Sequence, residues 1–79
     1  MPYIPLVARE RLAETASPLN AGELNYYLTV TCLEFLDEHG HNYTNYNTVI
    51  GALECAKLEL YRRQVVPYEE VKITENGDV

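Results

Sequence analysis

The densest group of residues that could bind a ligand is basic and aromatic, and it lies in the second half of the chain. Tyr61, Arg62 and Arg63 follow Lys57 by one helical turn, and Tyr68 comes five residues after the arginines. Arginine grips phosphate or carboxylate with parallel hydrogen bonds, while tyrosine adds a stacking face and a hydroxyl. These residue types predict a site for a small, nucleotide-like anion formed by Lys57, Tyr61, Arg62, Arg63 and Tyr68.

The same arginines also have a purely structural interpretation. Glu59 precedes them by three and four residues, and Glu69 and Glu70 follow them. Opposite charges at such spacings support an exposed helix by roughly 0.2–0.5 kcal/mol per pair. The tyrosines would then be core and interface residues. The sequence leaves both interpretations open.

Nucleophilic catalysis requires a nucleophile beside a base, and the sequence offers little for it. Ser17 is the one serine, and it lies next to a proline in a connector. Cys32 and Cys55 fall within apolar helical patterns, so we expect them to be buried as small hydrophobic residues rather than joined in a disulfide. We therefore predict no catalytic residue and no cofactor, and we expect a protein that is not an enzyme.

Carboxylates and imidazoles occur together in Asp37-Glu38-His39-Gly40-His41. A metal ion normally needs three or four converging ligands, which adjacent residues at a helix end seldom supply. Solubilising charge, with histidine favourable near a helix C-terminus, is the simpler interpretation. No metal site is predicted.

The overall composition limits the possible partners. The 79 residues include 12 acidic and 6 basic ones, for a formal net charge of −6, which argues against duplex nucleic acid. No apolar run approaches the roughly 18 residues of a membrane span. The N-terminus has neither a basic leader nor a hydrophobic segment, so we expect a cytoplasmic protein without a signal peptide.

Helical periodicity predicts an all-α fold with three helices, at about residues 5–15, 21–39 and 45–65, in a single domain, 1–79. Asn20 and Glu23 resemble a capping box at the start of helix two, and Gly40 is expected just past its end. Thr44 or Asn45 is the expected N-cap of helix three. Helices two and three are expected to form an antiparallel hairpin.

The segment 65–79 forms a short C-terminal tail. Val66 precedes a proline, so the third helix is expected to end or kink there. Pro67 and the acids after it favour a further short helix over an extended segment. This tail is expected either to pack back on the domain or to reach a partner.

Helix two is apolar on two sides, which predicts a homo-oligomer. Tyr26, Val30 and Leu33 form the second apolar stripe, which is expected to need a cover from another subunit. In helix three, Gly51 and Cys55 belong to a ridge of small residues where another backbone, of helix two or of a second copy, could approach closely. These five residues are the predicted oligomer interface.

Several strings together resemble a known family. They are Gly22-Glu-Leu-Asn-Tyr26, Gly51-Ala-Leu-Glu-Cys-Ala-Lys-Leu-Glu59, Tyr61-Arg-Arg63, Pro67-Tyr-Glu69 and Glu75-Asn-Gly-Asp-Val79. The chain resembles a family of small proteins of bacteriophages and bacterial chromosomes that has no assigned function. The resemblance implies a viral or prophage origin and a location in the host cytoplasm, and it implies no activity.

These observations favour a non-enzymatic phage or prophage accessory protein that acts by macromolecular interaction, for instance with a host protein. The alternative is an oligomer that sequesters a small anionic, nucleotide-like signal in a pocket at Tyr61, Arg62, Arg63 and Tyr68.

Overall fold

The computed structural model describes residues 4–79, and every regular element in that range is helical. The elements are α1 (Leu6–Thr15), α2 (Ala21–His39), α3 (Tyr43–Leu60), a π-helical segment (Tyr61–Val65) and α4 (Val66–Asn76). No strand occurs in that range, so the all-α prediction is confirmed. The chain divides into two compact units, of which the first ends at Asn45 and the second begins at Tyr46. The hairpin and the single domain stay predictions.

Helix α1 begins after Pro5, in agreement with the predicted bounds to within one residue. Proline suits a helix start because its backbone lacks the N–H that the first turn would leave unpaired. Its carbonyl accepts hydrogen bonds from the N–H groups of Ala8 at 3.0 Å and Arg9 at 3.1 Å. The helix ends where Ala16 adopts a left-handed conformation and donates to the carbonyl of Leu12.

Helix α2 has the predicted bounds, and its start is close to the predicted capping box. The N–H of Glu23 donates to Oδ1 of Asn20 at 2.9 Å. The Glu23 carboxylate accepts from the N–H of Leu19 at 3.0 Å, one residue before the expected donor, Asn20. At the other end Gly40, with φ +117°, donates to the carbonyl of Leu36, as predicted for the residue past the helix.

The prediction of Thr44 or Asn45 as the N-cap of α3 is wrong. Oδ1 of Asn42 accepts from the N–H of Asn45 at 2.9 Å, so the helix begins two residues earlier than expected, at Tyr43. The side-chain amide of Asn45 instead donates to the carbonyls of His39 and Gly40, at 3.1 and 3.0 Å. Asn45 therefore satisfies the end of α2 rather than the start of α3.

The chain does not leave the helical conformation at Pro67. Without an N–H on Pro67, the carbonyl of Arg63 would lack its partner in a regular α-helix. The helix instead widens before the proline, and the N–H of Val66 donates to the carbonyl of Tyr61, five residues back. The third helix was predicted to run to about residue 65 and to end or kink at Val66. Regular α-helix instead ends at Leu60 and gives way to the π-helical segment, and α4 confirms the preference for a further helix in the tail. Whether residues 65–79 pack back or reach a partner stays a prediction.

The core is small. Buried apolar side chains are Ala8 and Leu12 of α1, Leu36 of α2 and Val49 of α3. The expectation that both cysteines are buried is wrong for Cys55, which is exposed, while Cys32 is half-buried, and both thiols are free. Apolar periodicity identifies a face of a helix but not whether another element covers it, and the side chain of Cys55 is exposed. Within residues 4–79, no helix combines the length and apolar character needed to cross a bilayer.

Candidate functional site

The arginines of the predicted anion site are held by one carboxylate of their own helix. Nη2 of Arg62 donates to Oε1 of Glu59 at 2.5 Å, and Nε of Arg63 donates to the same oxygen. The hydrogen bonds from Arg63 and then Arg62 lower the pKa of Glu59 below its ordinary value. The ion pairs of both arginines with Glu59 are therefore present, and the use of these arginines as an anion site stays a prediction.

Lys57 is paired in the same way. Its Nζ lies 3.0 Å from Oε1 of Glu54, three residues earlier. The side chains of Lys57, Arg62 and Arg63 are all about two-thirds exposed, at 68%, 69% and 69%. Exposed pairs of this kind contribute about 0–1 kcal/mol, so an incoming anion could displace the carboxylates at little cost.

The two tyrosines of the predicted site are exposed along the same run of helix. Tyr61 and Tyr68 show 55% and 59% of their surface to solvent. The ammonium of Lys72 lies 5.5 Å from the centre of the Tyr68 ring, a cation–π contact that the sequence argument missed although its four-residue spacing could have indicated it. From Lys57 to Tyr68 the helix rises by roughly 16 Å. The five residues are therefore all exposed along one run of helix, but Arg62 and Arg63, which are consecutive, point in different directions from it.

The predicted interface residues fall in two places. Tyr26 and Val30 are half-buried and line a groove beside α1, and Leu33 is 44% exposed. A Cβ atom on Gly51 would meet no atom of the described chain within 4 Å, and Cys55 is exposed. Nothing within residues 4–79 makes the close approach expected at Gly51, and the part of all five residues in an interface between copies stays a prediction.

The histidines near the end of α2 have separate neighbours. Nε2 of His41 lies 2.6 Å from Oδ1 of Asp37, and the ring of His39 lies 4.4 Å from that of Phe35. Across the part of the chain that the structure describes, no three metal-ligating side chains come together.

A polar cluster that sequence spacing did not predict joins α1 to α2. Nη2 of Arg11 donates to Oε1 of Glu23, and Nη1 of Arg11 donates to the carbonyl of Ser17 at 2.7 Å. Only 7% of Glu23 is exposed. The Arg11 hydrogen bond, and after it the N–H of Leu19, lowers the pKa of Glu23. A buried carboxylate is thereby kept in its charged form.

The groove between α1 and α2 was not predicted from the sequence either. Its volume is about 290 Å³, and both helices line it. Leu12 and Val30 are among its apolar residues, and Arg9, Tyr26, Tyr27 and Glu34 are among its polar ones. Its residues come from two helices, so no single run of sequence signals it.

Fold and surface together define a small all-helical protein whose second unit is a largely exposed helix. The chain belongs to the family described as Domain of unknown function (DUF6899), whose model matches residues 1–79. The resemblance to a family without an assigned function is thereby confirmed, while a bacteriophage or prophage origin stays a prediction. Comparisons with curated proteins and with solved structures give no match.

Proposed function

We propose that this protein is a non-enzymatic phage or prophage accessory protein of the host cytoplasm, which self-associates and acts by binding another macromolecule. The observation that carries the proposal is the apolar surface of residues 46–76, which we call the interaction helix. Its large apolar side chains that are more than half exposed are Ile50, Leu58, Leu60, Tyr61, Tyr68 and Val71.

Four of these side chains form neighbouring pairs on the helix surface. Leu58 and Tyr61 are three residues apart, as are Tyr68 and Val71, so each pair forms one contact patch. Burying the exposed half of a leucine or isoleucine recovers about 1 kcal/mol. Single-chain proteins seldom leave continuous apolar patches in water unless the patches bind something.

A second copy of the chain is the occupant that we propose for this surface. The small core of the chain supports this choice, because a domain of this length buries only about 60–65% of its unfolded surface and self-association is a common remedy. A partner macromolecule would then bind the surface of the oligomer. Such binding needs a large contact area but no catalytic group.

Sedimentation and native mass spectrometry of the full chain test the proposal. We expect an oligomer whose dissociation constant rises at least about tenfold in Leu58→Glu, because a charge would enter the apolar contact formed by Leu58 and Tyr61. Asn47→Glu is the matched control, since it adds the same charge at an exposed polar position of α3 and should leave the oligomer intact. A compact monomer at high micromolar concentration would contradict the proposal.

Sequestration of a nucleotide-like anion is the second candidate, favoured by the exposure of Arg62, Arg63 and Tyr61 on one run of helix. An anion would have to replace Glu59 as the partner of both arginines. A nucleotide that copurifies with the protein and is lost in Arg62→Ala and Arg63→Ala would support this function. Retention of the nucleotide in both variants would contradict it.

A further inference from the structure

The groove between α1 and α2 carries charged groups that the chain leaves without partners. Within residues 4–79, Arg9 on α1 and Glu34 on α2 make no hydrogen bond or ion pair, with each other or with any other residue. Arg11, two residues from Arg9, is by contrast bonded to Glu23 and Ser17. The groove therefore holds one free positive and one free negative group.

Arg9 and Glu34 are both exposed, and the groove that they line also has apolar and aromatic residues. Leu12 is buried and Val30 half-buried, and the rings of Tyr26 and Tyr27 lie on the α2 side. Neither tyrosine hydroxyl has a hydrogen-bond partner in the described chain. These surfaces suit a flat apolar body, and the hydroxyls can donate to a polar group at its edge.

The volume limits the size of the occupant. About 290 Å³ corresponds to roughly ten water molecules at about 30 Å³ each, the lower end of the range for small-molecule sites. A molecule of about a dozen non-hydrogen atoms fills this space.

We propose that the groove binds a small zwitterion with an aromatic body, of the chemical class of a free aromatic amino acid. The carboxylate pairs with Arg9, the ammonium group pairs with Glu34, and the ring packs on Leu12 and Val30 beside the tyrosines. A singly charged ligand would leave one of the two protein charges without a partner. The inference does not rest on the interaction helix, which lies in the second unit. It does compete with the predicted contact of Tyr26 and Val30 with a second copy, because both residues line the groove.

Nuclear magnetic resonance titration of the full chain with L-phenylalanine tests this inference. Two analogues separate its charges, since 3-phenylpropanoate lacks the ammonium group and phenethylamine lacks the carboxylate. We expect the methyl signals of Leu12 and Val30 to shift with L-phenylalanine. Each analogue should bind about fivefold more weakly, the effect of losing one partly exposed ion pair.

Two substitutions then show which charged side chain pairs with which charged group of the ligand. Arg9→Gln should weaken 3-phenylpropanoate about fivefold and leave phenethylamine unchanged, and Glu34→Gln should do the reverse. Glu38→Gln, on the same helix but outside the groove, is the control and should change neither. Circular dichroism confirms that each variant keeps the helical content of the parent.

Three results would overturn the inference. One is the absence of any shift at Leu12 and Val30 up to the solubility limit of L-phenylalanine. Another is an equal fall in affinity for both analogues in both variants, which would show that Arg9 does not bind the carboxylate and Glu34 does not bind the ammonium group. The third is a dependence of the groove signals on protein concentration without any probe, which would place a second copy there. Leu58→Glu tests the proposed function without changing any residue of the groove, so a failure of the proposed function can be told apart from a failure of this inference.

Discussion

The guanidinium group of Arg11 donates a hydrogen bond to the carboxylate of Glu23, joining α1 to the first turn of α2 across twelve residues of sequence. The same arginine holds the carbonyl of Ser17, and the same carboxylate accepts from the N–H of Leu19. Two side chains thereby hold the connector between the helices at both of its ends. This cluster links α1 to α2, and because it lowers the pKa of Glu23 we expect the stability of the first unit to fall in acid.

Replacing the carboxylate should expose this sensitivity. Glu23→Gln removes the charge that Arg11 and the N–H of Leu19 stabilise, so we expect a lower free energy of unfolding at neutral pH. Because the folded-state pKa of Glu23 lies below its ordinary value of 4.5, the stabilisation is complete above that value. It is lost as the pH falls through the lowered pKa, where the folded state also binds the proton.

Urea unfolding of both proteins at about pH 7 and about pH 3 checks this. The difference between parent and Glu23→Gln should narrow in acid. Glu14→Gln removes an exposed carboxylate of α1 that has no partner in the described chain, and it should change little at either pH. A difference that stays constant with pH would show that the charge of Glu23 is not the stabilising feature.

The packing of α1 on α2 depends on Leu12, which is 4% exposed. Leu12→Ala should cost about 2–3 kcal/mol, because it removes buried methyl groups and leaves a cavity. Leu6→Ala is the matched control on the same helix, since Leu6 is 60% exposed, and it should cost no more than about 0.5 kcal/mol. Equal losses in the two variants, measured by urea unfolding, would mean that α1 does not pack as described.

The π-helical segment before Pro67 should revert to regular α-helix when the proline is replaced. Pro67→Ala restores an N–H for the carbonyl of Arg63, so we expect residues 61–65 to become regular α-helix, with about 1–3 kcal/mol more helix stability. Carbon chemical shifts and amide exchange at residues 61–68 report the change directly. Persistence of the π-helical segment in Pro67→Ala would show that another cause maintains it.

The same substitution should also affect self-association. Loss of the extra residue in the π-helical segment turns α4 by nearly one residue relative to α3, which moves Tyr68 and Val71 around the helix axis. We therefore expect Pro67→Ala to weaken the oligomer although the helix itself becomes more stable. An unchanged oligomer would place the contact on only one side of the π-helical segment.

A substitution at Gly51 should affect the stability of the helix and the affinity between copies in opposite directions. No atom of residues 4–79 would meet a Cβ there, so Gly51→Ala should stabilise the helix of the single chain by about 1 kcal/mol. If Gly51 lies in the interface, as we predict, the added methyl group should raise the dissociation constant of the oligomer. Thermal unfolding at high dilution and sedimentation over a range of concentrations measure the two effects.

Asn47→Ala is the control for Gly51, because it raises helix propensity at an exposed position of the same helix. It should stabilise the single chain and leave the oligomer unchanged. Unaltered association in Gly51→Ala, together with the gain in helix stability, would remove Gly51 from the interface.

The helix ends were mostly predictable, because the interactions that set them are short in sequence. Oδ1 of Asn20 accepts from the N–H of Glu23, three positions later, and the N–H of Gly40 donates to the carbonyl of Leu36, four positions earlier. The start of α3 was mispredicted because Asn42, Thr44 and Asn45 are all capping residue types, and only the backbone path selects Asn42. The pairing of Arg62 and Arg63 with Glu59 was among the predicted alternatives because all three lie on one helix.

The sequence by itself determined where the helices lie and which charges pair along them, since these depend on neighbours within one helical turn. Only the tertiary structure decided that Arg11 meets Glu23, that Cys55 is exposed, and that Arg9 and Glu34 share a groove. The reason is physical. Periodicity shows which face of a helix is apolar, whereas the path of the connector decides which residues of the next helix pack against that face. Contacts between separate helices depend on that path, and no local pattern encodes it.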